Sequence, residues 1–171
     1  MIFAGIFFLL LVSFTGAIYD WKIRKIPNWL TFGTLFLVLL FNICNLKFDW
    51  VLNSILGFLL GIALLIIPYL LGVMGAGDVK LLGAVGAIVG FKSVIFVFLS
   101  STICGLFLAL IWIACKPGHL KFLITTAQVL PTIDKQQMFP YGVAIFLGTI
   151  LYIISVNMNL FDLNLHVVIW Q

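Results

Sequence analysis

Long apolar runs, separated by short polar segments, dominate this sequence. A helix that crosses a bilayer needs about 20 apolar residues, and about 17 to 25 are tolerated. The runs that predict such helices cover residues 2–19, 29–44, 50–71, 79–89, 93–115 and 140–156. The fourth run is short and rich in Gly and Ala, and Pro68 interrupts the third near its end. The pattern predicts an all-α bundle of six transmembrane helices, in one membrane-embedded domain over residues 1–171.

The composition excludes the soluble alternatives. Of the 171 residues, 64% are hydrophobic and only 8% are charged, whereas a soluble domain carries about 25% charged residues. A transmembrane β-barrel is also excluded, because its strands alternate apolar and polar residues and these runs are continuous. We therefore expect a polytopic membrane protein that has the lipid bilayer, and no nucleic acid, as a partner.

The basic residues predict the orientation of the chain. The cluster at residues 22–25 follows the first apolar run rather than preceding it, so this run is not expected to be a cleaved signal peptide. With the N-terminus outside, seven of the nine Lys and Arg residues fall in cytoplasmic loops, and only Lys47 and Lys92 lie outside. This distribution follows the positive-inside rule. It predicts that Asp20 and Asp78 lie at the same, cytoplasmic, face of the membrane.

Asp20 and Asp78 are the candidate chemical groups. Ionisable residues at membrane depth are costly, and for that reason they usually have a function. A pair of close carboxylates cannot both ionise, so the two share a proton. The ionised member can then activate water while the protonated member polarises a scissile carbonyl. Because no nucleophile elbow, HExxH motif or phosphate-binding loop occurs in the sequence, the pair predicts an aspartic endopeptidase.

The residues beside each aspartate predict the shape of the site. Gly75 and Gly77 precede Asp78, and we expect them to adopt positive φ angles and to admit an extended peptide beside the carboxylate. Pro27 predicts a turn after the first helix, and we expect the Asn28 side chain to cap the helix that follows.

Asp20 and Asp78 are also compatible with two other functions. In a small transporter, Asp20 and Asp78 would bind cations. In an assembly subunit of a secretion complex, both would cap helices, with Asp78 as the N-cap of the fourth. A transporter does not explain the two glycines before Asp78 or the Ile-Pro-Asn turn, and a helix cap does not need two glycines before it.

Further patterns indicate structure rather than chemistry. The cysteines form no CxxC pair and the two histidines have no partner at ligand spacing, so we expect no metal site and no cofactor. The carboxylates Asp49, Asp134 and Asp162 are expected to be solvated loop residues. The GxxxG steps at 57–61 and 86–90 predict close helix packing.

Three sequence blocks, taken together, resemble a known family. They are an aspartate at the end of the first helix followed by Ile-Pro-Asn, then Gly-Ala-Gly-Asp-Val-Lys, and later Pro-Tyr-Gly-Val-Ala-Ile at 140–145. In this order they resemble the prepilin peptidases of the GxGD class of membrane aspartic proteases. The resemblance implies that Asp20 and Asp78 are the catalytic pair. The residues to which it gives a supporting role are Pro27, Asn28, Gly75, Gly77, Lys80, Pro140, Tyr141 and Gly142.

The resemblance also implies a substrate and a location. The substrates would be type IV prepilins or pseudopilins, cut at the cytoplasmic face of the bacterial inner membrane just before their hydrophobic helix. Larger members of the family carry a cytoplasmic region with paired cysteines and also N-methylate the new terminus. This chain has no CxxC pair, so we expect no methylation. It is most similar to the stand-alone peptidases of tight-adherence (Flp-type) pilus systems.

Overall fold

The structure, a computed structural model, describes residues 2–23, 25–71, 74–115 and 141–158. These residues form six α-helices and no strands. The helices are α1 (Ile2–Ile23), α2 (Asn28–Cys44), α3 (Phe48–Leu70), α4 (Ala76–Val89), α5 (Phe91–Cys115) and α6 (Tyr141–Asn157). The predicted all-α fold is therefore confirmed over the described part of the chain.

Two helix boundaries differ from the prediction by three residues or more, and the interruption expected at Pro68 is absent. Helix α1 continues past residue 19 to Ile23 and therefore contains Asp20, because Pro27 is the first helix-breaking residue after the apolar run. Helix α4 begins at Ala76 and not at residue 79, since the polar Gly-Asp-Val-Lys segment is compatible with a first helical turn. Helix α3 continues through Pro68 to Leu70.

The outer surface of the bundle suits a lipid environment. Three segments are long and apolar enough to cross a membrane, namely Gly5–Ile23, Phe48–Leu70 and Phe91–Ile111, and α2 and α6 are shorter apolar helices. Large apolar side chains on outer faces, such as Phe7, Phe36 and Phe107, are more than half exposed. Contact with lipid tails would cover these side chains without cost.

Helix α4 occupies the centre of the bundle. It contacts each of the five other helices, and every residue from Asp78 to Val89 except Lys80 is buried. Its 14 residues extend about 21 Å, less than the roughly 30 Å of a bilayer core. Asp78 therefore lies on a short helix that is held from all sides.

Glycines allow α3 and α4 to meet backbone to backbone. A Cβ atom at Gly57 would overlap the carbonyl group of Gly86, and one at Gly61 would lie 2.6 Å from the carbonyl oxygen of Leu82. Gly90, which follows α4, has a φ angle of 86°, a value that favours glycine. The close helix packing predicted from the GxxxG steps is confirmed.

Candidate active site

Asp20 is buried in the last turn of α1, where the side chain is 7% exposed. Its Oδ2 atom accepts a hydrogen bond of 2.8 Å from the backbone N–H of Gly142. Gly142 is the second residue of α6, and the N–H groups at a helix N-terminus carry partial positive charge and have no partner within the helix. The N-terminus of α6 therefore stabilises a negative charge on Asp20.

Only glycine fits at position 142. A Cβ atom there would lie 2.7 Å from Asp20 Cβ and 2.9 Å from Asp20 Oδ2. Contacts of this length are not tolerated, so a side chain would force α6 and the aspartate apart. Gly142 was predicted as a supporting residue, but its backbone donor and its contact with Asp20 could not be seen in the sequence.

Asp78 is buried in the first turn of α4, where the side chain is 4% exposed. Its Oδ2 atom accepts a hydrogen bond of 3.2 Å from the backbone N–H of Gly75. The alternative in which Asp78 is the N-cap of this helix is wrong, because Gly75 is the N-cap and Asp78 is the third helical residue. The Oδ1 atom is buried and has no hydrogen-bond partner among the described residues. One oxygen thus accepts the hydrogen bond at the helix start, and the other keeps an unused capacity to form a hydrogen bond.

The structure brings the two carboxylates together. Asp20 and Asp78 are close enough to interact electrostatically, and the Gly142 N–H also acts on Asp78. Three elements therefore meet here, namely the end of α1, the start of α4 and the start of α6. Two buried carboxylates that interact in this way can hold one proton between them.

Gly77 contacts the protein's own first turn. A Cβ atom at position 77 would lie 3.1 Å from Ile26 Cγ1 and 3.2 Å from the Ile26 backbone nitrogen, and Ile26 is buried. The expected positive φ angles are wrong: Gly75 has a φ of −79°, Gly77 lies within α4, and Gly90 is the glycine with positive φ in the described chain. Ile26 therefore fills the space beside Gly77, and no room for an extended peptide remains there.

The same turn makes a polar contact with α4. Lys80 Nζ donates a hydrogen bond of 2.8 Å to Asn28 Oδ1. The prediction that the Asn28 side chain caps α2 is wrong, because the N-cap is Pro27, with φ −67° and ψ 140°, and no side chain makes a capping bond there. Asn28 is the first residue of α2. Its side chain joins the Ile-Pro-Asn turn to the Gly-Ala-Gly-Asp-Val-Lys segment of α4.

Tyr141 fixes the start of α6 against α5. The ring is buried, and its hydroxyl lies 3.3 Å from Thr102 Oγ1. A Cβ atom at Gly105 would lie 2.8 Å from the Tyr141 ring, so glycine makes room for it. Sequence reasoning missed Thr102 and Gly105, because nothing marks them within the apolar run of α5. Pro140, the predicted residue before Tyr141, lies outside the described residues.

Asp49, the third aspartate in the described part of the chain, does not join the site. Asp49 is exposed at the start of α3, while Asp134, Asp162 and both histidines lie outside the described residues. Within the described ranges, no group of three or more His, Cys, Asp or Glu side chains is placed to hold a metal ion.

Comparison with known families agrees with this geometry. Residues 6–110, which are more than half of the chain, match the Type IV leader peptidase family. This range includes Asp20 and Asp78 and ends before Gly142. Neither the curated proteins nor the solved structures gave a match. The chain therefore belongs to the Type IV leader peptidase family, the family of the prepilin peptidases.

Proposed function

We propose that this protein is an aspartic endopeptidase that removes the leader peptide of type IV prepilins or pseudopilins at the cytoplasmic face of the inner membrane. Membership of the leader peptidase family implies a peptidase. The observation that carries the finer proposal is that the buried carboxylates of Asp20 and Asp78 meet at the N-terminus of α6. Such a pair is suited to activate water without a covalent intermediate.

In the proposed reaction, the oxygen of a water molecule attacks the scissile carbonyl carbon, and the ionised carboxylate accepts a proton from that water. The protonated carboxyl group donates its proton to the carbonyl oxygen, which becomes a hydroxyl of the tetrahedral intermediate. When the C–N bond breaks, the carboxyl group that took its proton from water passes that proton to the leaving amine. A hydroxyl of the intermediate gives its proton to the other carboxylate as the new carboxyl product forms, so the pair again holds one proton. The buried Oδ1 of Asp78, which has no partner in the described structure, offers a hydrogen-bond acceptor for the water.

We propose that the N-terminus lies outside the membrane and that all six helices belong to the membrane bundle. The distribution of Lys and Arg along the sequence supports this orientation. A cysteine at exposed position 22 or 76 should react with a membrane-impermeant maleimide in inverted vesicles only. A cysteine in place of Lys47 should react in right-side-out vesicles only. If positions 22 and 47 are labelled from the same side, the proposed topology is wrong.

Co-expression with a prepilin tests the activity. We propose an Flp-type prepilin as the first substrate, and conversion to the mature form can be followed by the mass of the product. Asp20→Asn and Asp78→Asn should each abolish conversion, because an amide cannot exchange the proton, and general acid–base catalysis contributes about 10²- to 10⁴-fold to a rate. Asp49→Asn, at the exposed aspartate, is the matched control and should keep full activity.

The same experiment separates the alternatives. A cation transporter or an assembly subunit would leave the leader uncut in the unmodified protein. Substantial conversion by either Asp20→Asn or Asp78→Asn, at a normal level of the protein in the membrane, would contradict the proposed pair. We expect the new N-terminus to be unmethylated, and a product heavier by one methyl group would contradict that expectation.

A further inference from the structure

A side-chain hydrogen bond joins the two blocks of sequence that carry the aspartates, and the proposed chemistry does not use it. Lys80 Nζ donates to Asn28 Oδ1 at 2.8 Å, and the two residues lie 52 positions apart in the chain. The bond therefore depends on the fold and not on local chain geometry. Beside it, Ile26 packs against Gly77, so the turn after α1 is held to α4 at two points.

Lys80 and Asp78 point to different sides of α4. Lys80 follows Gly77 by three residues, so both lie on the side of the helix that faces the turn. Asp78 lies about 200° around the helix from Lys80, on the side that approaches Asp20 and Gly142. The ammonium group therefore contacts the turn, on the side of α4 away from the Asp78 carboxylate.

The turn helps to determine where Asp20 lies relative to α4. Helix α1 makes only slight contact with α2 but more extensive contact with α4 and α6. The chain leaves α1 at Ile23 and enters α2 at Asn28, so a shift of Asn28 would displace the last turn of α1, which carries Asp20. The hydrogen bond to Lys80 opposes that shift.

We propose that Lys80 and Asn28 are positioning residues, whose hydrogen bond sets the separation of the Asp20 and Asp78 carboxylates. This inference rests on the proposed function, because the Lys80–Asn28 hydrogen bond, called the link below, would position the groups that carry out the proposed reaction. A misplacement of about 1 Å in a catalytic group can cost about 100-fold in rate. One exposed hydrogen bond restrains the backbone less tightly, so we expect a loss of about tenfold.

A mutant cycle on the purified enzyme in bilayers, with a prepilin as substrate, tests the link. Lys80→Met and Asn28→Leu should each lower kcat by about tenfold and leave KM unchanged, because the loss is in geometry and not in substrate binding. The double variant should be no slower than either single variant. Asn28→Asp keeps an acceptor for Lys80 and should retain most of the activity. Lys25→Met removes an exposed lysine from the same turn and should have no effect.

Three kinetic results would overturn the proposal. If Lys80→Met raised KM while Asn28→Leu had no effect, Lys80 would be a substrate contact. If the losses of the two single variants multiplied in the double variant, or if no rate changed, the two residues would not act through their shared bond.

A distance measurement tests the link without any activity. Spin labels at the exposed positions 23 and 76, in a cysteine-free background, report the separation of the end of α1 from the start of α4. Lys80→Met and Asn28→Leu should broaden or shift the distance distribution measured by pulsed electron resonance, and Lys25→Met should not. Identical distributions in all variants would contradict the proposal. Absence of cleavage by the unmodified enzyme would instead count against the proposed function.

Discussion

Asp20 and Asp78 are both buried, but they receive their hydrogen bonds from different parts of the chain. The donor to Asp78 is the N–H of Gly75, three residues earlier, and it belongs to the same helix start. The donor to Asp20 is the N–H of Gly142, 122 residues later, at the start of α6. Asp78 therefore takes its hydrogen bond from its own helix start, although the Gly142 N–H also acts on it, whereas the Gly142 donor to Asp20 is placed by the packing of α6 against α1.

This difference predicts how the two halves of the site respond to mutation. The Asp20 half is Asp20 with Gly142, and the Asp78 half is Asp78 with the first turn of α4. The Asp78 half should tolerate small changes, because the helix start rebuilds itself from neighbouring residues. The Asp20 half should be sensitive to any change that moves α6, since the Gly142 donor lies on that helix, far from Asp20 in the sequence. A glycine lies beside each aspartate, and alanine at each position measures this sensitivity.

The largest effect is expected for Gly142→Ala. The added methyl group would lie 2.7 Å from Asp20 Cβ, so either Asp20 or α6 must move and the hydrogen bond to Oδ2 is lost. Displacement of a catalytic group by about 1 Å predicts a fall in kcat of about 100-fold. Steady-state cleavage of a prepilin by the purified variant measures this fall in kcat. A variant with more than half of the normal kcat would show that α6 does not position Asp20.

A smaller effect is expected for Gly77→Ala. Its methyl group would lie 3.1 Å from Ile26 Cγ1 and 3.2 Å from the Ile26 backbone nitrogen, so the turn must yield by a few tenths of an ångström. We expect kcat to fall by a few-fold, well below the loss for Gly142→Ala. A loss as large as that for Gly142→Ala would mean that the turn after α1 controls the site as strongly as α6 does.

The smallest effect is expected for Gly75→Ala. The position has an extended backbone that any residue adopts, and the added methyl group would lie 3.5 Å from Asp78 Oδ2, an ordinary contact. The N–H that bonds to Asp78 stays in place, so kcat should remain within about twofold of normal. A large loss of activity, at a normal protein level, would indicate that substrate occupies the space beside Gly75.

The same contrast explains what could be predicted from the sequence. The helices, the glycine packing of α3 on α4 and the two aspartates follow from apolar runs and short motifs, which are local signals. The contact of Gly142 with Asp20, the filling of the space beside Gly77 by Ile26 and the bond between Lys80 and Asn28 depend on tertiary packing. Motif spacing indicated that these segments matter, but it assigned Asn28 to a helix cap and Gly77 to a positive φ angle.

The family comparison shows a similar limit. The match to the Type IV leader peptidase family ends at residue 110 and therefore leaves out α6. Yet α6 supplies the backbone donor to Asp20 and, through Tyr141, is fixed to Thr102 of α5. The sequence motif at 140–145 marked this part of the site, but its contacts with Asp20 and Thr102 become visible only in the folded chain.

The central claim is that Asp20 and Asp78 act as one catalytic unit, and the rates of Asp20→Asn, Asp78→Asn and the double variant test it most directly. Single-turnover cleavage of a prepilin by each purified protein, with Asp49→Asn as the control, gives the four rates. If the carboxylates share one proton, each single variant should lose about 10²- to 10⁴-fold, and the double variant should be no slower than either. Independent losses that multiply in the double variant, or a single variant close to the normal rate, would contradict the claim.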